Sequence, residues 1–570
     1  MKSKIRVVRV EGDPYRRSMQ HARALGDEAL SASLDFYRRF WDIQGAQMLP
    51  GFPRWARRFL TGMIKALIVN PGARDSRLEQ RDRDMLRGYA AGLGGAVSYT
   101  DLKKAAAVPD SYNYCLGWLF GMRKAKLPLP PALTRINRPG FAGCSSMIAW
   151  GEATADGGLI FGRNLDFFTG DEWIERTVLL VAEPGPGEIP FASVTSAGIP
   201  IEGITALNAE GLAVGVHQNF CTAVSTRGRS IIYITNEVAA RAKTIGQAVD
   251  IVRKKLPVSG WTVIVGSAAE KSAVFIETNA RRAEVVYPEA GKSYTCYANC
   301  YLSPSLQEHE YVPGYAIHEH NHARLLRMRQ LLEEHAGGID AAKMAVLLGD
   351  HFDPVAGQER PLGNTISAVH NVTSAVLEAD RQRIWIARGP APANTTASYT
   401  GFDLEAIRRG EEGNLGDIPG NPYFHHPAYP ALRQYALAYQ AFDDLDTPRV
   451  MEHLQQACAL DPEEPIYAFM LGLFYLKAGR TEEALARFRQ ADQPCNSAYR
   501  SALARLWQAR CCDLLGRRPE AEKLYRSVLE IAPQDSGLDL TARKGLRKPY
   551  KTRAVKGIIA EFLMGESHEI

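Results

Sequence analysis

No stretch of this 570-residue chain reaches the roughly 18 consecutive apolar residues that a bilayer-spanning helix needs. The longest candidate, "FLTGMIKALIVN" at 59–70, is interrupted by Lys65 and reads as a buried helix. The opening "MKSKIRVVRVEGDPYRR" has basic residues but no apolar run behind them, so no secretory signal is expected. Cysteine is sparse: nine in all, an odd number, with Cys511 and Cys512 adjacent and Cys296 and Cys300 lacking a second pair at zinc-finger spacing. That pattern excludes a disulfide framework and points to a reduced, cytoplasmic protein. Excess charge of one sign is lacking too. A net charge of +5 over this length does not suggest a nucleic-acid binder. Also missing are a G-x-S-x-G elbow, a Walker A loop and an H-E-x-x-H pair. Hydrolysis by those routes is excluded, and no cofactor is expected.

What is present organises into segments. With 46% hydrophobic residues, the chain can bury more than one core. Residues 1–143 read as mostly helical, with an Asp-Pro start at "DPYRRSMQHARALGDEALSASLDFYRRFW". From Cys144 to about 400 the character changes to short β-rich runs: "TVLLVAEP", "LAVGVHQN", "WTVIVGS", "SAVFIET", "AEVVY" and "RIWIARG". One helical stretch, "NHARLLRMRQLLEEHAGGI", interrupts them, and the mixture implies an α+β layered sandwich. Gly and Pro gather in 401–428, which reads as a linker. Beyond it, Leu437, Leu454 and Ala457 recur 34 residues on as Leu471, Phe488 and Ala491. Gly472, Tyr475, Ala484 and Pro462 sit where a tetratricopeptide unit needs them, and a third unit follows, giving an array over 429–537. A protein partner for such an array is an expectation of the repeat type. The tail, 538–570, is dense in Lys and Arg and reads as a solvated end.

Chemistry concentrates in "GFAGCSSMIAWGEATADGGLIFGRNLDF", residues 140–167. "CSSMIAW" alternates as a strand, "GEATADGG" is a loop, and "LIFGRNLDF" returns. With a loop from Gly151 to Gly158, Cys144 stands opposite Leu165, and Arg163 and Asp166 come near the thiol. Residues three apart in a regular strand face opposite ways, so the strand must end or bulge for both to serve one site. A free cysteine with pKa about 8.5 is only a few per cent thiolate at neutrality and needs a base. No histidine is near in sequence. The cysteine's own α-amine, with pKa about 7.7–8.0, is suited to the task once the Gly143–Cys144 bond is cut. Ala142 and Gly143 would leave that bond open to attack by the thiol.

The same segment resembles the nucleophile segment of the N-terminal nucleophile hydrolases, most closely the acyl-CoA:6-aminopenicillanic acid acyltransferase-like group. Choloylglycine hydrolases share the "FGRNLD" string. "VEGDPYRRSMQHARALGDE" and "LRGYAAGLGGAVSYTDL" resemble that group's opening segments, so the similarity spans about residues 5–390. It implies a four-layer αββα sandwich, here followed by the all-α tetratricopeptide array. It also implies an autocatalytically cleaved enzyme that hydrolyses or transfers the acyl group of a small-molecule linear amide. By this resemblance Cys144 is the nucleophile, Arg163 and Asp166 position substrate and amine, Asn299 in "YANCYLSP" donates to the oxyanion, and Arg324 in "NHARLLR" supports the site. The second oxyanion donor falls on Gln218 or Asn219, and His217 has no counterpart.

Two rival readings stand beside this one. His318, His320 and His322, with Asp350, His351 and Asp353 downstream, supply the residue types of a metal-dependent hydrolase. His-x-His spacing on a helix, however, separates neighbours around the axis, so no metal is expected. Alternatively, the sandwich is catalytically silent and the chain is a scaffold that binds partners through its repeats.

Overall fold

In the computed structural model, residues 5–70, 74–127, 143–167, 171–198, 200–311 and 314–569 are described. The β-branched runs pair into two large sheets. One runs in the order β1 (Arg6–Gly12), β4 (Thr177–Pro184), β5 (Phe191–Ser196), β6 (Thr205–Asn208), β7 (Leu212–Gln218), β8 (Trp261–Ser267), β9 (Ser272–Thr278) and β10 (Ala283–Val286). The other runs β11 (Tyr294–Tyr297), β2 (Cys144–Gly151), β3 (Gly157–Asp166), β14 (Asn371–Glu378), β15 (Arg383–Arg388), β16 (Ser398–Asp403) and β17 (Asn414–Pro419). A two-residue ribbon, β12 (Phe352–Asp353) with β13 (Gln358–Glu359), lies apart. Among the described residues of the two large sheets, only β1 pairs in parallel, with β4; the other ladders are antiparallel.

Strand alternation builds the layers. On β4, Leu179 and Val181 join Ile148, Phe161, Ile264 and Ile386 in a core between the sheets. Val178 and Leu180 face outward and pack with residues of helices Pro14–Leu25, Gln80–Gly92, Ile231–Arg241 and Ile245–Lys254. Across the molecule, Met147, Ala149 and Val376 of the second sheet pack with Met328 and Leu332 of helix Tyr315–Glu334 and Met344 of helix Ala341–Leu348. The result is the αββα sandwich expected. Among the described residues before Cys144, helices predominate, and Arg6–Gly12 supplies an edge strand.

Three helix pairs follow: Tyr429–Asp443 with Thr447–Leu460, Pro465–Lys477 with Thr481–Gln490, and Ala498–Leu514 with Arg518–Ile531. Gly472 lets Phe488 press against its helix; a Cβ there would lie 2.9 Å from the ring.

Three segments depart from the sequence reading. The Gly/Pro-rich stretch taken as a linker contains the end of β16, the whole of the edge strand β17, and Tyr423, buried in a short 3-10 turn. Edge strands tolerate Gly and Pro because half their backbone has no ladder to complete. The basic tail folds: helix Leu538–Arg547 caps the array, and a hairpin of β18 (Ile558–Glu561) and β19 (Glu566–Glu569) carries buried Phe562 and Met564. Finally, the segment expected as a buried helix at 59–70 turns Phe59, Met63 and Leu67 outward.

Candidate active site

The hairpin of β2 and β3 has the register expected, with Cys144 opposite Leu165 and Ser146 opposite Arg163. Cys144 and Ser146 share the inner face of the sheet with Arg163. Opposite them on β7, Gly215 leaves room for that arginine; a Cβ there would lie 3.1 Å from its Cδ. Arg163 donates to the carbonyls of Ile204 and Val216 and to Thr205 Oγ1, which fixes Nη2 at 3.9 Å from Cys144 Sγ. β3 then ends at Asp166, where the pairing with β14 shifts register between Asn371 and Thr373. That irregularity allows Arg163 and Asp166 to serve one place. Ala142 lies outside the described residues.

Asp166 accepts from Asn371 Nδ2 at 2.7 Å through Oδ1, while its buried Oδ2 has no hydrogen-bond partner. Its backbone N–H donates to the Gly143 carbonyl at 3.2 Å. Burial raises this carboxyl to about 7, against the opposing pull of Arg324, Asn371 and Arg163. The Cys144 thiol is likewise pushed up by burial, although Arg163 opposes the shift.

The main chain of Cys144 is clamped from the helical side. Asn299 Oδ1 accepts from the Cys144 nitrogen at 2.7 Å and from Arg324 Nη2 at 3.1 Å. Arg324 Nη1 donates to the Cys144 carbonyl at 2.8 Å and to Ser145 Oγ at 3.0 Å. Asn321 completes the clamp, accepting from Arg324 at 2.7 Å and donating to the Asn299 carbonyl at 2.9 Å. Because Asn299 Oδ1 faces two donors, its NH2 must point the other way, onto the Gln218 carbonyl at 2.9 Å. Asn299 therefore serves the Cys144 nitrogen, and its donor is already spent.

Gln218 and Asn219 part company. Asn219 is spent on Tyr297 Oη (3.0 Å) and Thr262 Oγ1 (2.7 Å), inside a buried network that continues to Glu277. Gln218 lines a cavity beside Cys144, and both polar atoms of its buried amide are unpartnered. Counted with its mouth, the cavity is about 770 Å³. Its walls are mainly apolar, including Leu165, Phe167, Trp173, Ile204, Val216, Ile232 and Trp261. His217, unassigned from sequence, meets Ser146 Oγ at 2.8 Å through Nε2, and burial drives its pKa well down.

The histidine cluster does not converge. On helix Tyr315–Glu334, His318 and His322 lie on the exposed face with tilted rings and centroids 4.1 Å apart, whereas His320 is buried against the Gly363 carbonyl. Asp350 pairs with Arg327, and His351 with Arg360 O and Thr395. Among the described residues, no three or more His, Cys, Asp or Glu side chains are grouped as a metal site.

Sequence reasoning missed Asn321, Asn371, Ser146 and Gly215. Asn321 had a local signal, standing one helical turn before Arg324. Ser146 had one as well, two residues from Cys144 on the same strand face, whereas Asn371 and Gly215 meet the site only through sheet packing and pairing.

Residues 153–390 match the family described as acyl-coenzyme A:6-aminopenicillanic acid acyl-transferase. That part of the chain is similar to an acyl-transferase domain. The matched span holds Arg163, Asp166, Gln218, Asn299 and Arg324; Cys144 stands just before it. Residues 435–499 and 496–536 match the tetratricopeptide repeat. An uncharacterized protein of Archaeoglobus fulgidus is 23% identical over 291 residues, which cover 49% of this chain and 45% of that protein. The chain thus spans less than half the length of this relative.

Proposed function

We propose that the acyl-transferase domain is a self-cleaving cysteine amidohydrolase or acyltransferase that acts on a small linear amide with an apolar acyl group. The observation that carries this reading is the holding of Cys144: nitrogen on Asn299, carbonyl on Arg324, and the residue itself lining an apolar cavity. In the first step Cys144 Sγ attacks the Gly143 carbonyl carbon. The unpartnered Asp166 Oδ2 takes the thiol proton, and the Asp166 N–H supports the oxygen as it gains charge. Collapse breaks the Gly143–Cys144 bond, passes a proton to the departing nitrogen and leaves a thioester. Water then releases a Gly143 carboxylate and a Cys144 with free thiol and free amine.

In turnover that amine takes the thiol proton, the thiolate attacks the substrate carbonyl, and Gln218 Nε2 donates to the oxyanion. The amine protonates the leaving amine, and water or a second amine resolves the acyl-enzyme. The acyl group enters the apolar cavity, where burial of each methylene contributes about 0.8 kcal/mol.

Intact-mass analysis tests the scheme. The wild type should appear as two fragments divided at Gly143–Cys144, with a thiol reagent on the new N-terminal Cys144. Cys144→Ala should remain one inactive chain. An uncut wild type that still turns over acyl substrates would refute the amine as base.

A further inference from the structure

We propose that the segment formed by helix Arg54–Ile64 and the π-turn Lys65–Val69 is a docking element for an anionic lipid surface. Its sequence, "RWARRFLTGMIKALIV", places Trp55, Phe59, Met63 and Leu67 four apart, and all four are solvent-facing: Trp55 is 74% exposed, Phe59 63%, Met63 42% and Leu67 64%. An α-helix with residues at every fourth position drifts around its axis. The π-turn, with its wider i→i+5 closure, offsets that drift and keeps Leu67 on the stripe. The opposite face is satisfied by the protein: Leu60 packs with Leu49 and Leu119, and Thr61 is buried. The outward stripe is therefore not a core face awaiting its own domain.

Charge identifies the occupant. Arg54 and Arg58 are exposed, and Arg57 and Lys65 are half-buried; none is in an ion pair among the described residues. No acidic residue occurs between Arg54 and Asn70. A second copy pairing through this face would bring two basic rows together, which is unfavourable. An anionic bilayer satisfies both features, since aromatic and aliphatic side chains enter the headgroup boundary while arginines meet phosphates. The segment is far too short to span, so it would lie in the interface plane.

The position of the element adds a second argument. Helix Val108–Lys124 packs against the π-turn and presents Trp118, 43% exposed. The same helix begins at the catalytic cavity, which Pro109 lines. One rigid helix thus joins the lipid-facing surface to an apolar cavity.

Sedimentation of the full-length protein with phosphatidylcholine vesicles, with and without phosphatidylglycerol, tests the proposal without any turnover assay. Binding is expected to the anionic vesicles and should weaken as salt rises. Trp55→Ser/Phe59→Ser/Leu67→Ser and Arg54→Glu/Arg58→Glu should each lower the apparent affinity about tenfold or more. Both sets lie on solvent-facing positions, and unchanged thermal melting would show that the fold is intact. A wild type that stays in the supernatant with both vesicle types overturns the proposal, as do variants that sediment like wild type. A concentration-dependent dimer abolished by the apolar variant also overturns it, reassigning the face to a second copy.

Discussion

At Gly143 the backbone takes φ +116°, and a Cβ there would stand 2.7 Å from Asp166 Oδ2. The residue before Cys144 is glycine because the Asp166 carboxyl occupies the space a side chain would need. That carboxyl also makes a pH-dependent contribution that can be signed. Its folded-state pKa of about 7 lies above the roughly 3.9 of an unfolded aspartate, so the folded chain keeps a proton that the unfolded chain releases. Stability therefore falls as pH rises from about 4 through about 7, and the full penalty stands above that. The uncut Cys144→Ala chain should show this slope in denaturant titrations, and adding Asp166→Asn should flatten it, with a gain on the order of 2 kcal/mol at pH 8. Equal slopes for the two chains would mean the buried carboxyl is not protonated near neutrality.

Among the elements, the C-terminal hairpin does most to change the picture drawn from sequence. It contacts the first helix of each repeat pair. Tyr435 Oη donates to the Phe562 carbonyl at 2.8 Å, Lys477 Nζ to the Ile558 carbonyl at 3.2 Å, and Trp507 Nε1 to Ser567 Oγ at 2.8 Å. Phe562 sits among Tyr435, Tyr439, Phe442 and Phe474, with centroids 5.0 to 6.0 Å away. Tetratricopeptide repeats are interaction modules as a class, yet here the face built by the first helices is occupied by the chain's own end. Phe562→Ala should cost about 3–5 kcal/mol by leaving a cavity in that cluster. Thermal unfolding followed by far-UV circular dichroism checks it, and a loss below 1 kcal/mol would show that the hairpin merely rests on the surface.

On the scale of the whole molecule, the repeats and the sandwich share one core. Trp41, Tyr112, Ile317 and Val369 of the catalytic half cluster with Leu432, Tyr467 and Phe474 of the array. A buried ion pair ties them, with Arg360 Nη2 and Nε at 2.6 and 3.1 Å from Glu464, and Tyr315 of the arginine-bearing helix stacks on Tyr499 at 4.9 Å. Breaking such a pair from one side costs about 3–5 kcal/mol because the remaining charge is stranded. A chain ending at Gly420 retains every strand of both large sheets but exposes this core. It is expected to aggregate, and co-expression with 421–570 should recover soluble protein cut at Gly143–Cys144. A soluble, monomeric, fully cut 1–420 would show instead that the two halves are independent.

Local pattern determined much of this. The β2–β3 register followed from two glycine-bounded strands, the other strands from β-branched runs, and the repeats from a 34-residue recurrence, because each depends on neighbours close in sequence or on a repeated unit. The residues around Cys144 were legible where a local string carried them, as in Gly-Arg-Asn-Leu-Asp. Tertiary structure decided what composition misread. Basic density suggested a solvated tail, but Ile558, Ile559, Phe562 and Met564 found an aromatic face to fill. Glycine and proline suggested a linker, but a sheet edge accepted them. An apolar run suggested burial, but the protein supplied neighbours for only one side of that helix. Gln218 and Asn219 were equivalent as a sequence and were separated only by strand alternation, which turns successive side chains to opposite faces. Burial depends on which surfaces meet, and that is a property of the assembled layers rather than of any residue's neighbours along the chain.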